Sequence, residues 1–78
     1  MNFKIGEWHK FSFDVNLCAY TDKNRNNIVR LNKKEIIFLL LEFRHDEVQD
    51  LFGIKILYEG MVYYFYFVTE YLKHLTCL

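Results

Sequence analysis

The stretch at residues 29–41, VRLNKKEIIFLLL, constrains the fold most, because a polar turn is followed directly by an uninterrupted apolar run. Asn32 can accept a hydrogen bond from the first N–H groups of a helix. Glu35, three residues later, can reach back to the N–H of Asn32, as in a capping box. The apolar run that follows is hydrophobic on nearly all sides, which is typical of a central helix. We therefore predict a buried helix over residues 33–44.

The first third of the chain has the pattern of a small antiparallel sheet. Residues 11–17 alternate strictly between apolar and polar side chains, which is the signature of a half-buried strand. Residues 21–27, TDKNRNN, are rich in Asn and Asp, which favour turns. Residues 28–31 then predict a short strand that pairs back. The sequence therefore predicts a sheet within residues 3–31.

The last third of the chain is compatible with either secondary structure. Residues 61–68 are all apolar or aromatic, and their β-branched and aromatic content favours a strand. Tyr64, Val68, Tyr71 and Leu75 nevertheless fall at helical spacing. We predict a short helix opening at Asp46 and another near residues 61–75. The fold expected is then a single α+β domain, residues 1–78, with a small N-terminal antiparallel sheet followed by helices.

A small all-β barrel is the alternative fold. Residues 54–58 and 61–65 flank Glu59 and Gly60, which together are typical of a two-residue hairpin turn. Residues 38–43 would then form a buried strand, and residues 69–75 a closing turn of helix. Periodicity cannot separate a short apolar strand from a buried helix, so the alternative stays open.

Taken in order, these features resemble the winged-helix DNA-binding domain of the OmpR/PhoB class of transcription regulators, and its ToxR-like branch most. Residues 6–8, GEW, and the strand at 13–17 are similar to the family's N-terminal sheet. Residues 31–35, LNKKE, are similar to the family's Leu-Thr-x-Lys-Glu helix start. The chain departs from the family at Leu72, where the recognition helix carries arginine. A C-terminal hairpin has no counterpart, so the resemblance implies a domain truncated before the wing.

The resemblance implies a cytoplasmic transcription-regulation domain with weak or partner-dependent binding to double-stranded DNA. The helix at 61–75 would be presented to the major groove, with Tyr66, Thr69 and Lys73 facing the bases. Lys33 would contact a phosphate. The chain holds 10 Lys and Arg and 10 Asp and Glu, so its net charge is zero. Because strong DNA binders carry a basic excess, this balance counts against tight DNA binding by the chain alone.

The apolar content suggests a second function, that of a small protein-interaction module. Of 78 residues, 53% are hydrophobic, and so small a body cannot bury them all. An exposed apolar patch marks an interface, so a protein partner or a homo-oligomer is expected. The alternative function is thus a small regulator, or a phage- or plasmid-borne inhibitor, acting through an aromatic surface. Tyr63, Phe65 and Phe67 are the interface candidates.

Catalytic, metal and membrane functions have little support in the sequence. The histidines and cysteines are scattered without metal-binding spacing, and two cysteines do not make a disulfide framework. There is no Gly-rich phosphate loop, so we predict no enzyme activity, no metal and no cofactor. The start of the chain lacks the apolar core of a signal peptide. Residues 54–72 carry too many charges to insert into a membrane as a helix, and a cytoplasmic location is the expectation.

Overall fold

Antiparallel pairing dominates the computed structural model, which describes residues 3–78. Within that range the chain forms seven strands and one short 3₁₀ helix. The strands are β1 (Trp8–Ser12), β2 (Cys18–Tyr20), β3 (Ile28–Arg30), β4 (Glu35–Asp46), β5 (Leu51–Tyr58), β6 (Met61–Val68) and β7 (Leu75–Cys77). The 3₁₀ helix, Thr69–His74, joins β6 to β7. No helix in the described residues is long and apolar enough to cross a membrane.

The sheet bends because its strand order separates elements that are close in sequence. The order across the described part of the sheet is β3-β2-β6-β5-β4-β1-β7. β1 pairs with β4, whereas β2 pairs with β6. Only residues 13–17 join β1 to β2, so the two sides of the sheet must curl toward each other. Two backbone bonds hold this corner, from Leu17 N–H to Lys33 O at 2.7 Å and from Leu31 N–H to Leu17 O at 2.9 Å.

The inner face of the bent sheet contains the core. Alternate residues along each strand point inward, as the pleat requires. The fully or nearly fully buried apolar residues are Phe11, Leu17, Ala19, Ile36, Phe38, Leu40, Phe52, Ile54, Ile56, Phe65, Leu72 and Leu75. Phe11 lies near the centre, with its ring centroid 5.8 Å from that of Phe65 and 5.3 Å from that of Phe67. Edge-to-face aromatic packing therefore fills much of this small core.

The predicted helix over residues 33–44 is wrong, because this segment is most of β4. Asn32 has a φ of 56°, so it forms a left-handed turn rather than a helix cap. The carboxylate of Glu35 does not reach back to it. Glu35 accepts a hydrogen bond from Ser12 at 2.9 Å and lies 3.7 Å from the Lys10 ammonium, both across the strand pair. The same residue types that begin a helix here begin a strand.

The two helices predicted later in the chain, one opening at Asp46 and one near residues 61–75, are also wrong. The Asp46 carboxylate does accept hydrogen bonds from the N–H groups of Val48 and Gln49, but the chain turns there and enters β5. Residues 61–68 are β6, and the helical part is limited to Thr69–His74. The α+β winged-helix architecture is therefore contradicted. Of the N-terminal predictions, the polar turn and a short strand at residues 28–30 agree with the structure. That strand pairs with Cys18–Tyr20, however, and residues 13–17 of the predicted strand lie outside any strand.

The all-β alternative fits better. Glu59 and Gly60 form the turn between β5 and β6, with φ values of 49° and 78°. Residues 38–43 lie within β4, as that alternative predicted. The sheet is open rather than closed, since β3 and β7 end the strand order in the described residues.

Candidate protein-interaction surface on the outer face of the sheet

The outer face of the sheet, which points away from the core, carries an apolar row that crosses neighbouring strands. We define the row as Trp8, Leu39, Leu57 and Val62. Trp8 is the cross-strand partner of Leu39, Leu39 of Leu57, and Leu57 of Val62. Their side chains share one face because directly opposed residues in an antiparallel pair point the same way. The row therefore runs continuously from β1 through β4 and β5 to β6.

The apolar row is exposed. Trp8 is 58% exposed, Leu57 36% and Val62 37%, while Leu39 is half-buried among them. Ile37 lies two residues from Leu39 on the same face and is 53% exposed. The solvated face of an antiparallel sheet normally carries polar residues. A contiguous apolar row at this position is therefore the pattern of an interaction surface.

Two opposite charges lie in the next row of the outer face. Glu42 on β4 is the cross-strand partner of Lys55 on β5. The Lys55 ammonium lies 5.9 Å from the centre of the Tyr64 ring. Among the described residues, Lys10–Glu35 is the one ion pair within 4.0 Å, so Glu42 and Lys55 have no such partner. Both charges remain available to a molecule that docks on the outer face.

A tyrosine cluster, Tyr20, Tyr64 and Tyr66, extends the outer face beyond these charges. Tyr20 is the partner of Tyr64, and its ring centroid lies 5.8 Å from that of Tyr66. Tyr66 lies over Gly53, where a Cβ would be 3.0 Å from two carbons of the ring. Glycine at this position thus allows the ring to lie flat across β5.

Two contacts hold the side chain of Tyr66, one to its hydroxyl and one to its ring. Its hydroxyl donates a hydrogen bond to the backbone oxygen of Lys23 at 3.1 Å. The guanidinium of Arg25 lies 5.1 Å from the ring centre, within cation–π distance. Partial desolvation is the main cause that raises the pKa of the Tyr66 phenol above its ordinary value; the nearby Arg25 opposes it and Asp22 adds to it. The phenol therefore stays protonated and able to donate at neutral pH.

The loop over Tyr66 is ordered by Asp22. The Asp22 carboxylate accepts hydrogen bonds from the backbone N–H groups of Asn26 and Asn27, at 3.0 and 3.2 Å. This local network positions Arg25, whose φ of 61° is left-handed. The sequence predicts a polar turn at residues 21–27, and the structure adds that this turn packs against β6.

An open groove of about 1260 Å³ separates this loop from the ends of β4 and β5. Charges of both signs line it, namely Asp22, Lys23, Arg25, Glu42, Arg44, Asp46, Glu47 and Lys55. Proteins that stack single-stranded bases combine aromatic rings with a positively charged groove. The mixed charge here gives the groove no single sign, which suits a polar rim around a protein interface better.

The interface candidates predicted from the aromatic block lie on the inner side of β6. Phe65 is 0% exposed, and Tyr63 and Phe67 pack against the core. A partner cannot reach Phe65 unless the fold opens. The outer face of β6 instead carries Tyr64 and Tyr66, which alternate with Phe65 along the strand, and the candidate surface consists of these tyrosines and the apolar row.

The residues assigned to DNA do not share a helix face. Tyr66 is on the outer face of β6, and Lys33 is in the turn before β4. Thr69 lies in the 3₁₀ helix, where its hydroxyl is 3.1 Å from Nε2 of His45, and Lys73 is exposed near the end of that helix. The recognition helix on which this set depended is absent from residues 3–78.

His9 is the buried polar residue of the core. Its side chain is 0% exposed, and Nδ1 lies 2.9 Å from the backbone oxygen of Glu7. Nε2 has no hydrogen-bond partner within the described structure. Cys77 pairs with His9 across β1 and β7, but its thiol lies 3.8 Å from the Glu7 carboxylate. In residues 3–78, no three His, Cys, Asp or Glu side chains are grouped as a metal site.

Gly53 and Tyr66 supply a test of how this surface is built. In the wild-type chain, Gly53→Val forces the Tyr66 ring to move, and we expect a loss of about 1–3 kcal/mol in unfolding free energy. In a Tyr66→Ala background the same change should stabilise the chain, since valine favours strands and the obstructing ring is gone. Denaturant unfolding of the four proteins measures both effects. A loss of equal size in both backgrounds would contradict the contact.

The apolar row was missed because β4 was interpreted as a helix. If residues 35–46 form a strand, Ile36, Phe38 and Leu40 occupy one face and Ile37 and Leu39 the other. Both faces of that strand are then apolar, although only one of them meets the core. Apolar residues on both faces of one strand were the feature of the sequence from which the row could have been predicted.

Comparisons of the chain with protein-family models, curated proteins and solved structures found no match.

Proposed function

We propose that this chain is a protein-interaction module that binds a protein partner through the outer face of its sheet. The observation that carries the proposal is the apolar row, which joins cross-strand partners on four adjacent strands and remains exposed. Burying apolar surface contributes about 25 cal/mol per Å². Covering the row with a partner would therefore contribute more favourable free energy than covering a polar part of the surface.

The residue types on this face suit a protein interface. Trp and Tyr are enriched among the residues that contribute most to binding between proteins. Trp8 ends the apolar row, Tyr64 lies in the next row opposite Lys55, and Tyr66 lies one row further along β6. The Gly53 position and the Lys23 and Arg25 contacts hold Tyr66 in place before binding. A pre-ordered aromatic side chain loses less conformational entropy when it is covered.

Site-specific photo-crosslinking tests the proposal. The photoreactive amino acid p-benzoylphenylalanine replaces Leu57 within the row or, as the control, Val48. Val48 is a matched control because it is apolar and 96% exposed, but lies in the turn between β4 and β5. In cells of the source organism, we expect a discrete protein adduct from position 57 and none from position 48. Absence of an adduct at 57, or equal adducts at both positions, would contradict the proposal.

A further inference from the structure

We infer that the partner is a second copy of the same chain, packed outer face to outer face about a two-fold axis. This inference rests on the proposed function, since it names the occupant of the same surface. The axis runs parallel to the strands, between β4 and β5. It aligns the strands of the two sheets, which is a common class of sheet packing.

The apolar row is complementary to itself under this operation. A two-fold axis midway between Leu39 and Leu57 places Leu39 of each copy against Leu57 of the other. It also places Trp8 against Val62, because these two residues end the row on opposite sides. Each apolar side chain thus meets an apolar one, and the largest ring meets the smaller end of the row. A closed dimer requires such an isologous patch.

The neighbouring charges obey the same symmetry. Glu42 and Lys55 lie on the two strands that flank the axis, one row away from Leu39 and Leu57. The operation that pairs these leucines brings Glu42 of one copy against Lys55 of the other, and the second such pair follows by symmetry. Both groups lack an ion-pair partner within the described residues of one chain. Opposite charges at these positions fix the register of the two copies.

The size and the overall charge of the chain are compatible with a weak dimer. The net charge is zero, so two copies have no net repulsion to overcome. Four strands about 4.8 Å apart and five residues of about 3.3 Å give a patch of roughly 19 by 17 Å. The two facing patches together cover roughly 650 Å², which is below the ~1,200 Å² of stable specific interfaces and within the size of weak, transient ones. The expected dimer therefore depends on concentration, with Ile37, Lys10 and the Glu59 turn at its rim.

Sedimentation velocity over a range of concentrations tests the inference. The wild-type chain should change from monomer to dimer as its concentration rises. Glu42→Lys places a lysine of each copy against Lys55 of the other, and Lys55→Glu places two glutamates together. Each variant should therefore stay monomeric where the wild type is dimeric. An equimolar mixture of the two variants should restore the dimer, because each facing pair is again of opposite sign.

The mixture separates contacts between copies from contacts within one chain. Each variant carries two like charges at positions 42 and 55, so recovery on mixing cannot arise inside a single copy. Glu70→Lys is the matched control, since Glu70 is an exposed acid in the 3₁₀ helix, outside the outer face of the sheet, and should leave dimerisation unchanged. Circular dichroism shows whether each variant keeps the fold of the wild type.

Three results would overturn the inference: a wild-type chain that stays monomeric, a Glu42→Lys variant that dimerises like the wild type, or no recovery on mixing. The crosslink at position 57 distinguishes the two proposals. A monomeric wild type whose position 57 labels a different protein removes the dimer and leaves the interaction module. A monomeric wild type with no adduct at that position removes both.

Discussion

Replacing Phe65 with alanine should lower the free energy of unfolding by about 3–5 kcal/mol, the usual loss for a fully buried phenylalanine. Phe65 is 0% exposed, and its ring packs against the rings of Phe11 and Phe67 at 5.8 and 5.9 Å. Its removal leaves a cavity that these rigid rings cannot fill. Since small domains are stable by roughly 5–15 kcal/mol in total, the variant should be close to unfolding.

Tyr64→Ala is the matched control for this change. Tyr64 is the next aromatic residue along β6, but it lies on the outer face over Lys55. Its loss should cost much less than that of Phe65. Urea unfolding followed by circular dichroism measures both variants. Equal losses, or a larger loss at Tyr64, would show that the two faces of β6 have been assigned the wrong way round.

Leu40→Ala is expected to have the next largest effect, a loss of about 2–5 kcal/mol in unfolding free energy. Leu40 is completely buried opposite Ile56, in the middle of β4 and β5. Truncation there removes apolar contacts on the inner face and leaves a void. Thermal unfolding should show a markedly lower midpoint at unchanged content of β structure.

Leu39→Ala is the comparison, because Leu39 is adjacent in sequence but belongs to the apolar row. The buried helix at 33–44 and the alternative buried strand at 38–43 both predict that Leu39 and Leu40 lie in the core, but the structure places only Leu40 there. We expect a small effect of Leu39→Ala on stability and a clear weakening of self-association. Similar destabilisation by the two changes would contradict the assignment of β4 to one inner and one outer face.

Local features of the fold were predictable where they depend on near neighbours. The polar turn at residues 21–27 is specified by its own Asn and Asp side chains, and Asp22 makes the expected bonds to the backbone. The hairpin turn at Glu59 and Gly60 is likewise local, because Gly60 adopts positive φ without a Cβ clash and only two residues separate the strands. Both features need no distant contact to form.

The segment from Asn32 to Leu41 shows why the rest could not be predicted. Asn32 suits a helix cap and a left-handed turn equally, and an apolar run suits a buried helix and a strand with two apolar faces. The segment forms a strand because β1 and β5 pair with β4 on both sides. Backbone hydrogen bonds to distant segments decide between strand and helix, and local propensity does not contain them.

The candidate surface also depends partly on the sequence alone and partly on the tertiary structure. The sequence by itself determined that apolar side chains exceed what 78 residues can bury, that the net charge is zero, and that aromatic residues are concentrated near the end of the chain. Only the tertiary structure decided which of them are covered. Side chains in a strand alternate between faces, so the direction in which the sheet bends buries Phe65 and exposes Tyr64 and Tyr66. That bend is fixed by the pairing of β2 with β6 and of β1 with β4, contacts between segments that are far apart in the sequence.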